Sequence, residues 1–121
     1  MPNQDWPGAE RRAHPRVAFQ ATARLFTDAE VIGDYNVRDL SVGGALLHGA
    51  ATPTLGVVVG VWLASTRLGT LRLAAQVMRA QRLPDGGVAL GLRFHNPPSK
   101  IESMLQDAVL AELEAASKHT G

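Results

Sequence analysis

The 121-residue chain has no cysteine, so a disulfide framework, thiolate nucleophiles and cysteine-ligated metals are all excluded. Aromatic residues are only 5% of it, too few for an extended base-stacking platform. No apolar run approaches the length that spans a bilayer as a helix. Charge is almost balanced at +1, which argues against general nucleic-acid binding. The four histidines (His14, His48, His95 and His119) are scattered without metal-ligand spacing. Ser41 lacks the surroundings of a nucleophile elbow. Gly86, Gly87 and Gly91 precede strand-like sequence rather than a helix, so they make no phosphate loop. Nothing in the chain argues for an enzyme.

Apolar residues are 45% of the chain, enough for one modest core. The charge is uneven along it. Residues 1–93 carry ten Arg against seven acids (+3), and residues 94–121 carry two Lys against four (−2). The opening run, Met-Pro-Asn-Gln-Asp-Trp-Pro-Gly, has neither an apolar core nor an early basic cluster. It does not read as a signal peptide, and a cytoplasmic location is expected.

Pro2, Pro7 and Gly8 make residues 1–10 an irregular arm. Arg11-Arg12-Ala13-His14-Pro15-Arg16 continues it. Pro15 pushes His14 away from helical geometry, and a bend there would bring Arg12 and Arg16 together. Val17–Phe26 alternates, with Val17, Phe19, Ala21, Ala23 and Leu25 on one face. A hairpin region over Thr27–Asp34 leads to a second strand, Tyr35–Leu40, and then to a polar turn. Gly43 and Gly44 free the backbone for that reversal, and Ala45 starts a third strand. Leu55–Ala64, Thr70–Arg82 and Val88–His95 supply three more, the last two split by Pro84-Asp85-Gly86-Gly87. Six short strands without helical crossovers predict an all-β fold, a small six-stranded antiparallel barrel. After Pro97-Pro98 the period changes. Ser99 and Glu102 form a capping-box signature, and Ile101, Met104, Leu105, Ala108 and Leu113 predict a C-terminal helix against the barrel. The domain reading is an arm (1–10), a barrel unit with the arginine segment (11–96), and a helix and tail (97–121).

Two motifs carry the chemistry. Arg12-x-x-x-Arg16 offers charged donors suited to phosphate and to the acceptor edge of guanine. Asp39-x-Ser41-x-x-Gly44 offers a carboxylate that accepts from two N–H groups on guanine's other edge. Taken singly, the first reads as a solvated basic arm and the second as a side chain-stabilised turn. In this order on this strand pattern they resemble the PilZ domain, a bacterial receptor module for cyclic di-GMP, over roughly residues 10 to 96.

The resemblance implies a barrel in which Arg12 and Arg16 contact phosphates and a guanine. Asp39 and Ser41 would contact the base, and Gly43 and Gly44 belong to the same turn. A basic residue at Arg11 implies capture of a stacked cyclic di-GMP dimer; Arg79 is a further candidate on the strand after Val77. No cofactor is implied beyond the ligand. The expected partner is an unidentified protein effector, without membrane insertion or nucleic acid. Two arginines at about 1.5–3 kcal/mol per charged hydrogen bond supply much of the ~8 kcal/mol of a micromolar complex. The rival readings are a nucleotide-independent interaction module of pilus or motility machinery and, behind it, a small barrel binding single-stranded RNA.

Overall fold

A computed structural model describes residues 17–120, with side chains through residue 115. Seven strands and one helix follow in order: β1 (Val17–Ala18), β2 (Thr22–Phe26), β3 (Val31–Leu40), β4 (Gly44–Gly49), β5 (Val58–Ser65), β6 (Gly69–Arg82), β7 (Val88–Phe94) and α1 (Ser99–Thr120). All pairings are antiparallel, in the order β1-β3-β2-β5-β6-β7-β4, and an added β3–β4 pairing closes six of the strands into a ring. The predicted six-stranded barrel with a C-terminal helix is the observed architecture.

Alternation explains the barrel's interior. Ala23 and Leu25 of β2, Leu71, Leu73, Ala75 and Val77 of β6, and Val88, Leu90, Leu92 and Phe94 of β7 are all buried. Each strand turns every second side chain inward, so the closed ring holds one continuous core. α1 adds Leu105 and Ala108 to that core, with Ile101 and Met104 packed at its margin.

Three local features differ from the sequence reading. Val17–Phe26 is not one uninterrupted strand. Ala18 pairs with Asp39 and Thr22 with Asn36, so four steps on one side face three on the other and the register slips by one. β1 and β2 are therefore separate pieces along the same edge of β3, joined by the bond from Val37 N–H to Ala21 O (2.9 Å). The Thr27–Asp34 hairpin region is shorter than expected. Its turn is closed by Thr27, whose N–H donates to Glu30 O (2.8 Å) and whose hydroxyl accepts from Ala29 and Glu30. The helix starts one residue earlier in capping terms than Ser99–Glu102 suggests. Glu102 N–H donates to Pro98 O (2.9 Å), so Pro98 holds the cap position and Ser99 opens the first turn.

Tyr35, the sole tyrosine, is buried and donates from its hydroxyl to Ala51 O (2.6 Å). Burial pushes its phenol above the ordinary tyrosine range. The neutral form is the one the fold favours, so its contribution holds below the ordinary value near ~10 and is lost as pH rises through the folded value. Absorbance titration should place the phenol above free tyrosine, and Tyr35→Phe should abolish the signal. The same change should cost about 1 kcal/mol at neutral pH in urea denaturation.

Candidate ligand-binding site

The second motif sits where β3 hands over to β4. Ser41 is 6% exposed, and every hydrogen-bonding direction of its hydroxyl is used locally. The Oγ accepts from Gly43 N–H (3.2 Å) and Gly44 N–H (3.1 Å) and donates to Gly44 O (3.3 Å), while Ser41 N–H donates to the same carbonyl (2.9 Å). Ser41 is thus the internal brace of its own turn. Gly43 O accepts from Phe94 N–H (2.9 Å), tying the turn to the end of β7. A Cβ at Gly44 would run into the carbonyl oxygen of Leu92, so β4 and β7 approach as they do because this residue has no side chain.

Asp39 lies two residues before that brace. Its orientation follows from an irregularity in β3: Val37 pairs with Leu47 but Asp39 with Leu46, leaving Arg38 as an extra residue. Val37 and Leu40 are both buried, so Arg38 and Asp39 share the outer side of the barrel. Asp39 is half-buried there, with Oδ1 withdrawn from solvent. β6 repeats the device. Val77 pairs with Leu92 but Arg79 with Gly91, so Met78 is extra and Met78 and Arg79 both turn outward.

The registers then line up. Asp39 is opposite Leu46, Leu46 opposite Gly91, and Gly91 opposite Arg79. Asp39 and Arg79 thus occupy one row across four strands, about 14 Å apart at ~4.8 Å per strand, and Gly91 contributes no side chain to the row. The structure brings together Asp39, Ser41, Gly43 and Gly44 at one turn and sets Arg79 on the same face. Arg11, Arg12 and Arg16 lie outside the described residues.

The motif reading passed over Arg38, next to Asp39 on the outer side, and Arg93, paired with Gly44 and donating to Gln76 Oε1 (3.3 Å). A signal for Arg38 was present. Val37 and Leu40 are apolar positions three apart in an otherwise alternating strand, the mark of a bulge that turns two successive side chains outward. Among the described residues no group of three or more histidines and carboxylates is placed to hold a metal ion, and no helix is long and apolar enough to cross a membrane.

The brace and the close approach differ in cost. Ser41→Ala leaves two amide hydrogens without an acceptor and should lower stability by about 1–3 kcal/mol. Gly44→Ala drives a methyl into backbone that has nowhere to move, and thermal unfolding should show the larger loss. A Gly44→Ala protein as stable as wild type would refute the close approach.

The family profile of the PilZ domain matches residues 10–111, which takes in the arginine segment, the barrel and the first half of α1. No curated protein matches the chain. Among solved structures, the PilZ domain of YcgR from Escherichia coli with c-di-GMP superposes with a TM-score of 0.71 at 18% identity, over 91% of this chain and 97% of that one. The c-di-GMP complex of MrkH from K. pneumonia gives a TM-score of 0.76 at 15% identity, over 92% and 56%. MotI, an inhibitor of motility from Bacillus subtilis, gives 0.74 at 14%, over 87% and 52%. The chain therefore spans nearly all of the isolated YcgR domain but only about half of MrkH and MotI. With that profile covering most of its length, and a barrel of the same architecture, the chain belongs to the PilZ domain family.

Proposed function

We propose that this PilZ domain is a cytoplasmic, non-enzymatic receptor for cyclic di-GMP that passes the signal on through contacts with an effector protein. One observation carries the reading. β1 pins Val17 opposite Leu40 and Ala18 opposite Asp39, so the arginine segment joins the barrel right beside the carboxylate of the second motif. That junction supports a site in which guanidinium donors for phosphate work beside a carboxylate for the guanine N–H edge. The c-di-GMP complexes of the YcgR domain and of MrkH support the ligand.

In this reading Arg12 and Arg16 hold phosphates and a guanine, and Asp39 accepts from the base. Ser41, Gly43 and Gly44 act chiefly by fixing the turn, since the Ser41 hydroxyl is already committed to backbone. Arg79 closes the far end of the row, and Arg11 adds the cation that a second, stacked nucleotide would require. The arm, broken by Pro7, Gly8 and Pro15, is ordered by the ligand and presents a new surface to the effector. The rival reading, an interaction module that ignores nucleotide, predicts no ligand response at all.

Calorimetric titration of cyclic di-GMP tests the reading. Wild type should bind with micromolar or tighter affinity, and Arg16→Ala and Asp39→Ala should each weaken binding about 10- to 100-fold, the loss of one charged hydrogen-bond set. Arg11→Ala should lower the stoichiometry from two nucleotides to one. Absence of heat with folded wild type would overturn the receptor reading. Limited proteolysis that cuts the arm equally fast with and without saturating ligand would overturn the ordering mechanism.

A further inference from the structure

Across the ring from β4 and β7, the outer face of β2, β5 and β6 carries an aromatic ridge. Trp62 is 44% exposed although it lies in the most apolar strand of the barrel. It meets Phe26 edge-on, with ring centroids 5.5 Å apart. Phe26 packs over Gly60, where any Cβ would strike its ring. The Arg72 guanidinium sits over that ring, 5.5 Å from its centroid. Arg24, opposite Trp62 on β2, is forked onto Asp34 through Nε (2.7 Å) and Nη2 (3.2 Å), which leaves Nη1. Val58, also exposed, extends the apolar strip along β5. Open hollows of about 490 and 520 Å³ lie on the two sides of the ridge, one lined by Thr22, Trp62 and Thr70, the other by Phe26, Val58 and Arg72. A large aromatic pair held in place by packing and flanked by arginines has the make-up of a binding hot spot.

The chain also contains a complement. α1 buries Leu105, Ala108 and Val109, and its outer side carries Leu110, 49% exposed, between Asp107 and Glu114. The dimensions agree. Arg24, Trp62 and Arg72 face one another across β2, β5 and β6, so the arginines' backbones lie about 9.6 Å apart at ~4.8 Å per strand. Asp107 and Glu114 are seven residues apart, about 10.5 Å along a helix at ~1.5 Å per residue. A helix laid across the strands would seat Leu110 on Trp62 with a carboxylate towards each arginine. The chemistry already occurs inside the molecule, where the neighbouring Glu112 of α1 pairs with Arg67 of the barrel (3.4 Å).

We infer that the Trp62 face is a docking surface for α1 of a second copy of this chain. The contact is independent of nucleotide binding, because it uses none of the residues of the motif face. Its specificity lies in the register of one apolar knob and two carboxylates against one indole and two guanidinium groups.

Sedimentation equilibrium with charge-reversed variants tests this. Wild type should self-associate with rising concentration. Arg72→Glu, and separately the double variant Asp107→Arg with Glu114→Arg, should each weaken association about tenfold or more. An equimolar mixture of the two variants should regain it, because the native helix of the Arg72→Glu protein then meets the native face of the helix variant. That recovery also shows that both variants are folded, as does unchanged circular dichroism. Wild type monomeric at every concentration would overturn the inference and assign the face to another occupant. So would self-association indifferent to Arg72→Glu, or a mixture that stays monomeric.

Discussion

The molecule depends on the close approach of β4 to β7 at Gly44. The ring closes because β4 reaches both β3 and β7, and the Gly44 backbone lies where a side chain would strike the Leu92 carbonyl. The Ser41 hydroxyl holds the turn feeding that approach, and Gly43 ties the turn to Phe94. Closing a sheet and shaping a polar turn on its rim are therefore one event. The residue types that mark this motif, a serine and a glycine three apart, follow from backbone packing before any ligand is considered.

Two bulges then convert a regular barrel into one with a differentiated exterior. An extra residue at Arg38 and another at Met78 each turn two consecutive side chains outward. A strict two-residue repeat would have kept one of each pair inside. Placed in strands that share a row, they concentrate charge on one arc of the wall. The arc of β2, β5 and β6 carries aromatic surface instead.

Much of this was legible in the chain. Alternation in Val17–Leu25 and Val88–Phe94 and the change of period after Pro98 led directly to the strands and the helix, because burial of one face imposes a repeat of two or near 3.6. Other features were hidden for physical reasons. The slip between Ala18 and Thr22 keeps Phe19 and Ala21 facing the core, so the apolar pattern is unbroken where the pairing is not. The outward setting of Trp62 is invisible in an apolar run; only its register against Arg24 and Arg72 reveals it. The commitment of the Ser41 hydroxyl to backbone is likewise a matter of geometry that residue type alone leaves open.

β1 (Val17–Ala18) is two residues long and ends the sheet order, and α1 packs against it. Every other described strand is hydrogen-bonded on both sides by the ring. A polypeptide seeking to add itself as a further strand would find a stub of two residues beside a helix, too short and too crowded to template pairing. Recognition of this barrel by other chains is thereby confined to side-chain surfaces, and backbone-templated aggregation has little purchase on it.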